Sequence, residues 1–151
     1  MANIKIGSHP SYGYQTVEAI DTTSKQLLPS DSGKIFMCDQ NSTADVVCFL
    51  PQISTNIAGW HAKFVLRTAA GNDFHICAYG NAAAGGTSGD NDTIVYLEQA
   101  TGASTAASAD VIQFTATNAA VGNYCDIFTD GTSWYASMNA AADNSVASVD
   151  S

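Results

Sequence analysis

Positive charge is scarce in this sequence. Five Lys and Arg stand against fourteen Asp and Glu, a formal net charge of −9. Nucleic-acid affinity comes largely from cations that displace counterions from phosphate. Anionic membrane surfaces recruit clustered Lys and Arg in the same way. Neither partner is expected here. Long apolar runs are also missing: no stretch approaches the roughly 18 apolar residues of a membrane helix. The opening "MANIKIGSHPSYGYQTVEAI" has neither the basic lead nor the apolar centre of a secretory signal. The expectation is a chain that folds where it is made.

Catalytic signatures are lacking too. No serine stands in G-x-S-x-G. "GGTSGD" lacks the Lys-Ser/Thr that completes a phosphate loop. Glu18 and Glu98 are the only glutamates, and they fall on distant strands, so a paired-carboxylate site is not expected. His9, His61 and His75 show no convergence that would serve a metal or a nucleophile. The four cysteines, Cys38, Cys48, Cys77 and Cys125, form no C-x-x-C pair and have no zinc spacing. Each lies in a strand-like run and reads as a buried free thiol. A Cys38–Cys48 cross-strand disulfide is the alternative. Asp90, Asn91 and Asp92 could offer oxygens to calcium, but the loop falls short of a defined ligand set. No cofactor and no metal is expected.

What the chain does have is short strands. At 151 residues it suits one domain with one core. "QTVEAI" (15–20) alternates weakly. "GKIFMCD" (33–39) and "ADVVCFLP" (44–51), joined by "QNST", read as a hairpin that Pro51 ends. "WHAKFVLRT" (60–68) places Trp60, Ala62, Phe64 and Leu66 on one face and His61, Lys63, Val65 and Arg67 on the other. "AAGND" then leads into "FHICAYG" (74–80) as a second hairpin, with His75 and Cys77 alternating against Phe74, Ile76 and Ala78. Residues 81–92 and 99–109 are dense in small residues and read as loops. "TIVYLE" (93–98), "DVIQFTAT" (110–117), "YCDIFTD" (124–130) and "TSWYASM" (132–138) complete the strands.

Asp130-Gly131 between two apolar runs signals a tight turn, because glycine accepts positive φ. Trp134 follows in register to cap a core, with Trp60 and Phe64 as further core residues. The expected fold is all-β: a single-domain antiparallel β-sandwich, jelly-roll-like, over 15–138. An irregular arm (1–14) precedes it and a flexible tail (139–151) follows. His9, Pro10, Tyr12 and Tyr14 in the arm are candidate partner contacts, because tyrosines give large contact area at modest entropy cost.

The ordered set Gly33, Leu50-Pro51, Gly59, Lys63-Phe64, Asp92-Thr93-Ile94 and Asp130-Gly131-Thr132-Ser133-Trp134-Tyr135 resembles a module of tailed-bacteriophage virion proteins, over roughly residues 27 to 138. Such modules serve as capsid decoration (cement) proteins, head fibres and tail-fibre parts. The resemblance implies a non-enzymatic structural virion protein, made in the host bacterial cytoplasm. It would form a homo-oligomer, often a homotrimer, and bind the outer surface of the major capsid protein shell. The alternative it leaves open is a receptor- or glycan-binding fibre module with Trp60 and Trp134 stacking on sugars. The four cysteines and "AAAGGTSG" depart from the pattern. A small β-fold hydrolase is the third class, and no converging polar set supports it.

Overall fold

A computed structural model describes residues 15–79, 94–100, 103–139 and 146–149 of the chain. The arm residues His9, Pro10, Tyr12 and Tyr14, and the loop with Asp90 and Asp92, lie outside these residues. The all-β class holds. The described residues form twelve strands: β1 (Val17–Ile20), β2 (Ser24–Gln26), β3 (Ile35–Asp39), β4 (Val46–Phe49), β5 (His61–Thr68), β6 (Phe74–Cys77), β7 (Ile94–Ala100), β8 (Ala103–Ala109), β9 (Val111–Phe114), β10 (Tyr124–Thr129), β11 (Trp134–Asn139) and β12 (Val146–Val149). The only helical segments among the described residues are two short 3-10 turns, Pro29–Asp31 and Thr55–Ile57.

The strands form two sheets, one seven-stranded in the order β1-β3-β5-β10-β11-β7-β8, the other five-stranded in the order β12-β9-β6-β4-β2. Both are mixed, which corrects the expectation of a purely antiparallel sandwich. β1, β3 and β5 run parallel, and so do β2, β4 and β6. The reason lies in the turns. The expected hairpins β3–β4 and β5–β6 are not hairpins. Each is an arch whose second strand crosses to the other sheet, so strands that follow one another in sequence face each other across the core. Three arches, β1/β2, β3/β4 and β5/β6, stack as rungs.

The second and third rungs repeat at one offset, apart from a one-residue bulge where Asp39 pairs with Thr68. Ile35 pairs with Lys63 and Phe36 with Phe64, while Val46 pairs with Phe74 and Val47 with His75. Each pair is 28 residues apart. Asp39–Arg67 and Asp45–Asp73 contacts fall at the same spacing. The repeat is visible in pattern, "KIFMCDQNSTADVVCF" against "AKFVLRTAAGNDFHIC", although only Phe36/Phe64 and Asp45/Asp73 are identical. Equal arc lengths hold it in register, since a one-residue slip would turn every side chain to the other face.

One core joins the inward residues of both sheets, including Phe36, Phe64, Phe74, Phe114, Trp60 and Trp134. Trp60 and Trp134 meet edge to face at 5.2 Å, an arrangement that adds to simple area burial. β5 alternates as expected, with Ala62, Phe64 and Leu66 inward. β6 does not: His75 and Cys77 are buried along with Phe74 and Ile76.

Two further expectations are revised. The small-residue stretch 99–109 is not a loop: β7 and β8 pair antiparallel over seven residues, from Ile94↔Ala109 to Ala100↔Ala103. A backbone ladder needs no bulky side chains, and β8 lies at the end of its sheet. The tail also contributes structure. Val146–Val149 adds to the five-stranded sheet beside β9, so the domain extends past residue 138. The Cys38–Cys48 disulfide is absent. Those residues lie on opposite sheets, and all four thiols are free and buried. Burial pushes the thiols of Cys38, Cys48 and Cys125 well up, so they are inert towards thiolate chemistry.

Candidate functional site

The Asp130 stretch, expected from the sequence as a tight turn, is a self-contained hairpin in the fold. β10 and β11 pair from Tyr124↔Asn139 to Thr129↔Trp134. The Asp130 carboxylate accepts from the Thr132 and Ser133 amides at 2.8 and 2.9 Å, from the Thr132 hydroxyl at 2.7 Å and from the Tyr135 hydroxyl at 3.1 Å. The Thr132 donors first, then Ser133, pull its pKa down to about 2. Gly131 has φ +92°, and a Cβ there would lie 3.2 Å from the Ser54 carbonyl oxygen and from Thr55 Cα. The turn therefore seats on the Thr55–Ile57 segment, and its polar atoms are consumed by its own backbone.

Glu18 points inward from β1, where it pairs with Lys25 and with Lys34 at 2.7 Å; Lys34 also reaches Asp31 at 2.6 Å. The Lys25 hydrogen bond, then that of Lys34, lowers the Glu18 pKa. This network closes the open end of the core between edge strands β1 and β2. Inward charge at an edge also blocks the addition of a further strand. Glu98 sits on β7, five strands away from β1, about 24 Å at ordinary strand spacing. The two glutamate positions do not converge. His61 is exposed on the seven-stranded sheet, whereas His75 is buried in the other sheet, so they do not converge. No group of three His, Cys, Asp or Glu among the described residues could hold a metal.

All four described cations have carboxylate partners. Besides Lys25 and Lys34, Lys63 meets Asp126 at 3.2 Å and Arg67 meets Asp39 through two nitrogens. No unpaired cation is left among the described residues to recruit an anion. Trp60 and Trp134 are 3% and 0% exposed. Trp60 donates its indole N–H to the Leu28 carbonyl at 3.2 Å. As core residues both stand as expected; as sugar-stacking platforms they are closed off. A shallow cavity of about 240 Å³ lies at the return connections, lined by Leu28, Pro29, Pro51, Ile57 and Tyr79 among others, and it gathers no charged group.

The surface that stands out is the outer face of the seven-stranded sheet. The pairing registers place three rows of outward residues across it. One row is His61–Phe128–Tyr135–Val95; the next is Val17–Ile35–Lys63–Asp126–Ser137; the third is Ala19–Met37–Val65–Tyr124–Asn139. Val17 is 60% exposed and Phe128 51%. Ile35, Met37, Val65, Tyr124 and Tyr135 are half-buried. Phe128 stacks on Tyr135 at 5.2 Å, and Lys63 lies 3.9 Å over the Tyr124 ring. Sequence reasoning did not single this face out. The signal was there in part: "IFMC" in β3 is apolar on both faces, the pattern of a strand covered on both sides, and "YCDIF" in β10 sets Tyr124 and Phe128 around an outward Asp126.

Against known proteins, no family model, no curated protein and no solved structure matches this chain.

Proposed function

We propose that the chain is a non-enzymatic structural protein of a bacteriophage virion, a decoration (cement) protein that binds the outer surface of the major capsid protein shell. Its place would be the outer capsid surface, after synthesis in the host bacterial cytoplasm. In this reading it acts as a homo-oligomer, a homotrimer if the resemblance holds in full. The two-sheet domain then stands as a mixed-sheet variant of the jelly-roll-like sandwich. The observation that carries the reading is the exposed apolar and aromatic face of the seven-stranded sheet, on a domain whose described charged side chains are largely engaged in its own turns and ion pairs. Such a molecule works through contact area, and contacts made only in the assembly stabilise it by mass action. The motif order from Gly33 to Tyr135 supplies the virion context. His9, Pro10, Tyr12 and Tyr14 remain the proposed arm contacts to the shell.

Copy number tests the reading. In purified particles of the source virus, mass spectrometry is expected to find hundreds of copies, in a simple ratio to the major capsid protein. A few copies would move the protein to a fibre or tail, and absence from the particle would overturn the virion role.

A further inference from the structure

We infer that the apolar cavity at the return connections is the seat of the chain's own N-terminal arm, with Pro10 and Tyr12 as the inserted side chains. This contact lies within one chain and precedes any meeting with the shell, so it goes beyond the reading above. Contact of the arm with the shell then requires its release from this seat. A failure here leaves the copy-number test untouched.

The first ground is what the cavity accepts. Leu28, Pro29, Pro51, Ile57 and Tyr79 make its wall apolar. Gln26 beside them already donates to the Leu27 and Leu50 carbonyls, both at 3.0 Å. The Leu28 amide is taken by the Asp31 carboxylate at 2.8 Å, and its carbonyl by the Trp60 indole. The volume of about 240 Å³ is below the ~300–1,000 Å³ of pockets that enclose small-molecule ligands. It is a size for one or two side chains. Leu28 stands 56% exposed at the rim.

The second ground is where the arm leaves the domain. The arcs 21–23, 40–45 and 69–73 lie at one end of the arch stack. The cavity lies at the other, beyond the last residues of β2, β4 and β6. Thr16 is at the cavity's end: its carbonyl accepts from the Ile35 amide at 2.9 Å, where β3 starts. β1 and β2 form one rung, so the step from Thr16 towards Leu28 is about the ~10 Å between packed sheets. Tyr12 precedes Thr16 by about 13 Å of extended chain, and Pro10 by about 20 Å. Both reach the cavity without strain.

The third ground is composition. Of the segments outside the described residues, 80–93, 101–102, 140–145 and 150–151 hold no apolar side chain larger than alanine. Residues 1–14 hold Ile4, Ile6, Pro10, Tyr12 and Tyr14. The arm is therefore the one such segment with side chains that fill an apolar cavity. Charge favours it too. Residues 1–14 carry Lys5 and no acid, whereas residues 15–151 carry all fourteen acids against four cations. The arm is drawn to the domain, while 80–93 and 140–145 bring further Asp and are repelled. Tyr12 against Tyr79 would add an aromatic pair.

The test is cleavage of the arm by chymotrypsin after Tyr12 and Tyr14 in the full chain, followed by intact-mass spectrometry. Cleavage of a segment that exchanges between seated and free states follows its free population. Leu28→Glu puts a charge at the cavity rim and should speed loss of the arm about tenfold. Val121→Glu is the control, 67% exposed in the connection between β9 and β10, and should leave the rate unchanged. Both replaced side chains are exposed, and unchanged far-UV circular dichroism checks that the domain stays folded. On the labelled wild type, nuclear Overhauser effects are expected from the Tyr12 ring to the Leu28 and Ile57 methyls. Mixing labelled with unlabelled chains should leave them intramolecular. Equal cleavage of wild type and Leu28→Glu overturns the inference, as does the absence of those Tyr12 contacts. Contacts found only between chains also overturn it, and would give the cavity to the arm of a neighbouring copy.

Discussion

The two halves of the domain use turns in opposite ways. In residues 17–77 each strand–turn–strand unit is an arch that leaves one sheet for the other. In the second half β7–β8 and β10–β11 are hairpins that stay within a sheet. The Asp130 hairpin turn is chemically closed, since its carboxylate serves the amides of its own loop. The arcs serve their neighbours. The Asp45 carboxylate accepts from the Asp73 amide at 3.0 Å, and that of Asp73 accepts from the Ala116 amide at 2.6 Å. Gln40 spans three segments, donating to the Phe114 carbonyl at 2.9 Å and accepting from the Ala70 amide at 2.8 Å. A turn whose polar side chains look inward folds a strand back beside itself. An arc whose polar side chains look sideways is held by the rung above it. The parallel stacking of β1, β3 and β5 against β10 then assembles the broad outer face.

The largest expected effect comes where the halves meet. Trp134→Ala removes a fully buried indole from its contact with Trp60 and should cost about 3–5 kcal/mol, read by denaturant unfolding. A loss below 1 kcal/mol would mean that the halves do not share a core.

Next comes the arc side. Gln40→Leu leaves the Ala70 amide and the Phe114 carbonyl without their partner, at about 1–3 kcal/mol per buried group. Hydrogen exchange at Ala70 should accelerate, while amides in the 130–133 turn stay unchanged. Equal acceleration in both places would remove the distinction between the two kinds of turn.

The smallest effect is a pH effect on the hairpin side. Asp130 has a folded pKa of about 2 against an ordinary 3.8. The folded state binds fewer protons there than the unfolded one. Its contribution is therefore present above pH 3.8 and lost as pH falls towards 2. Glu18 and Asp39 are shifted in the same direction by Lys25 and Arg67. Stability should thus decline in acid below about pH 4.5, where the ordinary glutamate range begins. Asp130→Asn should flatten the lowest part of that decline without abolishing it. An unaltered slope between pH 4 and 2 would show that the turn carboxylate is not engaged.

The strands were legible in sequence because burial enforces alternation. Ala62, Phe64 and Leu66, and the Asp130-Gly131 turn with Trp134 behind it, fall where their pattern places them. Strand partners were not legible. A polar linker such as "QNSTA" between two apolar runs is compatible with a hairpin or an arch, since both need a reversal and both leave strands alternating. What separates them is whose backbone Gln40, Asp45 and Asp73 satisfy, a long-range fact. β8 was hidden because Ala, Ser and Thr give no apolar period. Of the candidate surface, Lys63 and Val65 were assigned to an outward face, yet its extent depended on bringing Val17, Ile35 and Phe128 together from β1, β3 and β10. The four cysteines read correctly as buried and free, because a thiol in a strand core is a small hydrophobe.

The outer face exists only if β3 lies beside β5 and not beside β4. Interstrand nuclear Overhauser effects measured on the labelled chain decide this directly. The account predicts a parallel ladder with Met37 beside Val65 and Ile35 beside Lys63, and no backbone contacts between β3 and β4. An antiparallel ladder joining Met37 to Val47 would contradict it, and would dissolve the arch stack and the face built on it.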